Sequence, residues 1–230
     1  MIIQLRSPLH DALETEYPRA KWGENRGMPV PLQLDDTAKE IELAKTLALA
    51  DADFLPRIVI KGPQAAAFLQ SRNIPIPESV LKVAPMEKSG LIIRTGSSEF
   101  FLEDGIGGNI VAGVEQSLGS NGQSGVYPVL RQDTSLIISG SRAGELFRHV
   151  SSYDFIGEAY NDLVFTPIAG VSCSILRTKL NDLPAFRLWT DGTYGLYIWH
   201  TLLEVAKELG GGAVGTAVFY PGLSNEANRP

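Results

Sequence analysis

Apolar residues recur along this chain with two periods, and the two periods alternate twice in the same order. From Arg57, "RIVI" gathers β-branched residues into a short strand, Gly62-Pro63 turns the chain, and Ala65, Phe68 and Leu69 share one helical face. After a link holding Pro75, Pro77 and Pro85, "LIIRTGSSEFFLED" predicts two strands around a Gly-Ser turn, and "GGNIVAGVEQSL" a second helix. From Ser135 the same series returns. "SLIIS" is its strand, and Ala143, Leu146, Phe147 and Val150 stand at helical spacing. "VSCSILRT" and "AFRLWTD" are two more strands. "TYGLYIWHTLLEVAKELGGG" is the longest helix, with Trp199, Leu202, Ala206 and Leu209 on its buried side.

The two runs align without a gap. Ile60 falls on Ile138, Gly62 on Gly140 and Ala65 on Ala143, at a constant offset of 140 − 62 = 78 residues. The pattern predicts an α/β (α+β) fold of two duplicated β-α-β-β-α units, residues 57–118 and 135–209. They should be related by a pseudo-twofold axis, each resembling a split β-α-β module. The polar, Gly-rich "GSNGQSG" at 119–125 is the predicted linker. Upstream, "DDTAKEIELAKTLALAD" predicts a helix capped by Asp35 or Asp36, with Ile41, Ala44, Leu47 and Ala48 as its apolar stripe. Residues 1–34, with Pro8, Pro18, Pro29 and Pro31, read as an extended arm on a body spanning 35–215. Residues 216–230 form a tail too short for a further domain.

Composition narrows the function classes. With 44% hydrophobic and 20% charged residues the chain is ordinarily globular. A net charge of −6 leaves no basic excess to neutralise phosphates, which argues against a nucleic-acid partner. The single cysteine, Cys173, permits no intrachain disulfide and fits a reducing, cytoplasmic setting. No apolar run approaches the roughly 20 residues that span a bilayer, and the N-terminus lacks the apolar core of a signal peptide.

Candidate chemistry is sparse. His10, His149 and His200 lack the spacing of a metal site, so no metal is expected. Cys173 sits in an apolar strand and reads as a buried structural thiol. "DGIGGNI" (104–110) has the context of a phosphate loop, but Ile110 stands where the third glycine belongs, and it reads as a turn. Arg94 and Arg177 occupy equivalent positions, each before a Thr; they either recognise an anion or make strand-end ion pairs. Trp189 and Tyr194 flank a turn and either wall a flat ligand or pack. No carboxylate pair, Ser/His/Asp set or Cys/His set emerges, and no catalytic residue is assigned.

One series of motifs is specific as a whole. "SPLHD", "MPV" ahead of "AKEIELAKTLALADADFLPRI", "VIKGPQAAAFLQ", "IISGSRAGELF", "RT" at 177–178 and "YIWHTLLEVAKELG" run in order over about residues 7–215. With them the chain resembles the folate-binding domain of the aminomethyltransferase (glycine-cleavage T-protein) superfamily. Within it, the chain is most similar to the gamma subunit of heterotetrameric sarcosine oxidases. The resemblance implies a place in one-carbon metabolism, a tetrahydrofolate-type pocket, and flavin held by partner subunits. Four departures qualify it. The Gly-Gly-x-x-Asp-Asp hairpin of catalytic T-proteins is replaced by "VAPMEKSGLIIR". The Gly-Tyr-Thr-Gly-Glu loop, whose Glu holds the pterin, is replaced by "RTKLNDLPAF", with Leu183 at the Glu position and Asp182 beside it. The sequence also lacks the C-terminal barrel domain of full T-proteins and the Lys-Gly-Cys-Tyr-x-Gly-Gln motif of their iron–sulfur relatives.

Leucine at the pterin-reading position leaves buried polar groups unpaired at about 1–3 kcal/mol each, so a folate site of the usual kind is not expected. The resemblance therefore implies a non-catalytic, gamma-like accessory subunit of a flavin-dependent sarcosine or N-methyl amine oxidase or dehydrogenase. Its partners would be flavoprotein alpha- and beta-type subunits, or the chain would self-associate. The alternative is a stand-alone tetrahydrofolate-binding C1-transfer protein with a relocated carboxylate, Asp182, Glu103 or Asp104. The ligand-binding candidates are Arg94, Arg177, Asp182, Trp189 and Tyr194. Leu9 and Trp22 in the arm, and Val218, Phe219 and Tyr220 in the tail, are the expected docking anchors.

Overall fold

The computed structural model describes residues 5–119, 122–129, 132–157 and 159–223. Residues 120–121 of the predicted linker and 224–230 of the tail lie outside them. The described residues gather into two compact units. One is drawn from Met1–Phe54, Asp133–Tyr160 and Val164–Pro230, the other from Leu55–Gln132 and Asn161–Leu163.

The chain enters the first unit through α1 (His10–Glu16), β1 (Lys21–Asn25), β2 (Met28–Gln33), α2 (Thr37–Thr46) and β3 (Ala48–Asp51). It then builds the second unit from β4 (Arg57–Lys61), α3 (Ala65–Gln70), β5 (Val83–Pro85), β6 (Leu91–Gly96), β7 (Glu99–Glu103), α4 (Ile110–Leu118) and β8 (Tyr127–Val129). It returns through β9 (Asp133–Ser139), α5 (Ala143–Val150), β10 (Leu163–Ile168), β11 (Val171–Leu180), β12 (Leu183–Asp191), α6 (Gly195–Glu208) and β13 (Gly212–Ala213). The six-stranded sheet has the order β10-β11-β12-β9-β3-β13, and the five-stranded sheet the order β5-β6-β7-β4-β8. Each run therefore places its strands second-third-fourth-first. Each also carries one strand more than the sequence pattern predicts, β5 and β10, so the element order is β-α-β-β-β-α in both. Both extra strands sit at sheet edges and both contain a proline, which is tolerated there because an edge position needs fewer ladder donors.

Each sheet buries one helix-covered core. In the first unit Leu136, Ile138, Phe147, Leu188, Trp199 and Leu202 pack together; in the second, Ile58, Ile60, Phe68, Phe100, Leu102 and Val114 do. The repeated glycine turn has the same physical cause in both. Gly62 and Gly140 adopt φ of 125° and 100°, which side chains disfavour. A Cβ on Gly62 would meet the Gly125 carbonyl oxygen at 2.3 Å, and one on Gly140 the Thr46 carbonyl carbon and oxygen at 2.4 Å. Neither turn can carry a larger residue without moving a neighbouring backbone.

Three expectations about the ends of the body are corrected. The first 34 residues are not simply an extended arm: their described part holds α1, β1 and β2. Leu9 and Leu13, 0% and 1% exposed, enter the first unit's core, and β1 and β2 form a hairpin whose turn residues Arg26 and Gly27 both have positive φ, as a two-residue reversal requires. The helix beginning at Thr37 is capped by the Asp36 carboxylate, which accepts from the Ala38 and Lys39 amides, but it stops at Thr46. Leu47 and Ala48 are not on its stripe; Ala48 begins β3, which pairs with β9 and β13. Phe219, an expected docking anchor, is buried at 3% exposure. Among the described residues no helix is long and apolar enough to cross a membrane.

Candidate functional site

Each candidate side chain is positioned by its own strand or turn. Arg94, in β6, donates to the carbonyl oxygens of Ser97 at 2.9 Å and Glu78 at 3.3 Å, with Pro77 at 3.5 Å. Arg177, in β11, lies 4.6 Å over the Tyr160 ring and reaches the Ile156 carbonyl oxygen at 3.5 Å. Both arginines thus contact the segment that follows the first helix of their run. Trp189 is buried in β12 opposite Ser135 and Ser174, with the Arg187 guanidinium 5.0 Å from its ring. Tyr194 is 50% exposed at the start of α6. Asp182 is at the tip of the β11–β12 hairpin, where Asn181 and Asp182 have φ of 47° and 61°. Arg94 belongs to one unit and the other four to the other.

The two other carboxylates weighed as relocated catalytic groups have structural partners. Glu103 is buried opposite Arg57 in the β4–β7 ladder, with their charged atoms 3.8 Å apart. Asp104 is buried and accepts from the amides of Ile110 and Val111 at 3.1–3.3 Å. It therefore occupies the N-terminus of α4, the place where a phosphate would sit. The close approach around it explains Gly105, whose Cβ would meet the Lys88 carbonyl oxygen at 1.8 Å. Burial pushes the Cys173 thiol up to about 11, which keeps it protonated and unreactive near neutral pH.

A side-chain group outside the sequence expectations lies on α1. One ligand-type atom each of His10, Asp11 and Glu14 falls within 4.8 Å of the others. Both carboxylates are exposed, and Arg6 lies 3.5 Å from Asp11.

One concavity of the first unit is a groove of about 770 Å³, within the range of small-molecule sites. Trp22 and Leu32 of the β1–β2 hairpin, Ile41 of α2, Leu183 of β12 and Val218 form its apolar wall. Lys21, Lys45 and Glu40 contribute charge. The Glu40 carboxylate is occupied by the Leu34 and Asp35 amides at 2.6 and 2.8 Å, and burial raises its pKa. Asn181 reaches across to the Val218 carbonyl oxygen at 3.1 Å. The groove thus lies beside Asp182, and Leu183 presents a hydrocarbon wall at the position where the resembling family has its pterin-holding Glu. Its other residues come from the β1–β2 hairpin, α2 and the segment after β13, which only the fold brings together.

No family model matches the chain. Among curated proteins it is 24% identical over 226 residues to an aminomethyltransferase of Caldanaerobacter subterraneus subsp. tengcongensis, covering 89% of this chain and 58% of that protein. It is 25% identical over 208 residues to an aminomethyltransferase of Thermoanaerobacter sp., covering 80% and 54%. The chain spans little more than half the length of these relatives. Among solved structures, the glycine cleavage system aminomethyltransferase T of Bartonella henselae matches with a TM-score of 0.71 at 18% identity, over 99% of this chain and 64% of that one. A chain of heterotetrameric sarcosine oxidase from Corynebacterium sp., in complex with pyrrole 2-carboxylate, matches with a TM-score of 0.60 at 18% identity, over 76% and 93%. The mixed α/β fold is that of the T-protein folate-binding domain.

Proposed function

We propose that the chain is a T-protein-like body without carbon-transfer activity, acting as the gamma-type accessory subunit of a flavin-dependent sarcosine or N-methyl amine oxidase or dehydrogenase. The flavin would reside in alpha- and beta-type partner subunits, in the cytoplasm. The observation that carries this reading is the fate of the carboxylates. Methylene transfer to a folate needs an acid or base within reach of the reacting amine and a partner for the pterin edge. Glu103 is engaged with Arg57, Asp104 with the α4 amides, and Leu183 stands where the pterin partner would be. The residues present do not fit a folate of the usual kind. The likeness to a sarcosine oxidase chain supports the oxidase side of the proposal.

Asp182 keeps the alternative open to test, because it is exposed at a hairpin tip beside the groove. A stand-alone C1-transfer protein would use it to hold the ligand. Calorimetry with a stable reduced folate separates the two. The expected result is no binding up to millimolar ligand. Micromolar binding that disappears in Asp182→Ala would replace the accessory reading with the enzymatic one.

A further inference from the structure

Helix α1 carries a side-chain group that the proposed function does not use. Glu14 stands four residues after His10 and three after Asp11, the two spacings that bring side chains together on a helix surface. One donor atom from each of the three lies within 4.8 Å of the other two. The backbone beneath them is held in place. The Ser7 hydroxyl accepts from the Leu9 amide at 3.1 Å and donates to Asp53 at 2.8 Å, and Leu9 and Leu13 are buried in the core of the first unit.

The histidine is the unusual member. His10 is 8% exposed and its ring packs edge-on against Trp22 at 4.7 Å between centroids, yet its Nδ1 has no hydrogen-bond partner among the described residues. Buried polar atoms are nearly always paired, so an unpaired one in a ring that adjoins two carboxylates marks a place that a further group completes. The carboxylates themselves are free to turn. Both are exposed, and the Arg6–Asp11 contact at 3.5 Å joins side chains 50% and 89% exposed, which holds them only weakly.

We propose that His10, Asp11 and Glu14 together bind one divalent transition-metal ion of the zinc class. One imidazole nitrogen and two carboxylate oxygens form a mixed donor set, which suits zinc, nickel or copper, whereas calcium and magnesium are taken by oxygen donors alone. The two carboxylates also offset the charge of the ion. Tetrahedral bonds of about 2.0–2.2 Å place donors roughly 3.4 Å apart, so an inward turn of the exposed Asp11 and Glu14 side chains closes the set around a ring that stays where it is. Three protein donors leave a position open to water. Sequence spacing does not disclose the site, because His10 has no second His or Cys nearby and its partners are carboxylates. The site does not rest on the accessory-subunit proposal, and its occupancy neither requires nor excludes a flavoprotein partner.

The test is calorimetry of the untagged whole chain with zinc chloride in a non-chelating buffer. One ion should bind per chain with a dissociation constant below about 100 μM, and magnesium at the same concentrations should not bind. The Asp11→Asn/Glu14→Gln variant should bind zinc at least about tenfold more weakly, since each substitution removes an anionic donor. Its circular dichroism should match wild type, because both positions are exposed. Nickel should broaden the ring-proton resonances of one histidine, the one whose signals are missing from His10→Phe, and the broadening should be lost in the double variant. His200→Gln, which removes the 3.0 Å contact of His200 with Glu16, should leave the zinc affinity unchanged. The proposal is overturned if zinc binds more weakly than the stated limit or if magnesium binds equally well. It is also overturned if the affinity survives in the double variant, if nickel broadens a histidine other than His10, or if His200→Gln abolishes binding.

Discussion

Replacing Leu9 by alanine should destabilise the protein by about 2–5 kcal/mol, as much as the same change at Leu202 in the longest helix. The two leucines are buried in one cluster with Leu13, Phe147 and Trp199, so each truncation removes methyl groups from the same packed interior. Leu13→Ala should behave alike. The measurement is urea unfolding followed by far-UV circular dichroism. An arm that merely rested on the surface, as its prolines lead one to expect, would give values within about 0.5 kcal/mol of wild type. That outcome would remove α1 from the core. The comparison with Leu202 supplies the scale within one protein, which matters because the cost of a cavity varies with how far its walls relax.

Asp53→Ala should cost roughly 3 kcal/mol, because it strips partners from two buried donors at once. The Asp53 carboxylate accepts from the Ser135 amide at 2.6 Å and from the Ser7 hydroxyl at 2.8 Å, while its own amide donates to Asp51 at 2.9 Å. Ser135 in turn accepts from Arg187 at 2.7 Å, so the network links the N-terminal segment, the chain just after β3, and strands β9 and β12. Asp53→Asn keeps one acceptor oxygen and should fall between wild type and alanine. Equal stability of all three proteins would mean that this network is not part of the folding energy.

The parts of the fold that were legible in the sequence are those whose pattern is local. Ala143, Leu146 and Phe147 mark α5 by spacing alone, and the antiparallel strands β11 and β12 carry Val171, Ile175, Leu176, Phe186, Leu188 and Trp189 as local apolar markers. Strand β3 was illegible because "ALAD" continues the apolar character and the helix propensity of α2. What makes it a strand is its place between β9 and β13, whose residues lie far along the chain. The β1–β2 hairpin was hidden by Pro29 and Pro31. They sit two residues apart, so they remove amide donors from one edge of β2 only, and the strand survives. Candidate-site residues divide in the same way. Arg94 and Arg177 were found as a repeated pair, but which carbonyls they hold depends on the loop geometry. The Arg57–Glu103 pairing needs the register of β4 on β7, and the groove needs four separated stretches brought together; neither is written in any one segment.

The accessory-subunit proposal is tested most directly by isolating the chain from its own cell under native conditions and following flavin absorbance through size exclusion. The account predicts that the chain elutes in a larger complex, at a fixed ratio to flavin-containing subunits. Elution of the chain alone, with no flavoprotein beside it, would contradict the proposal.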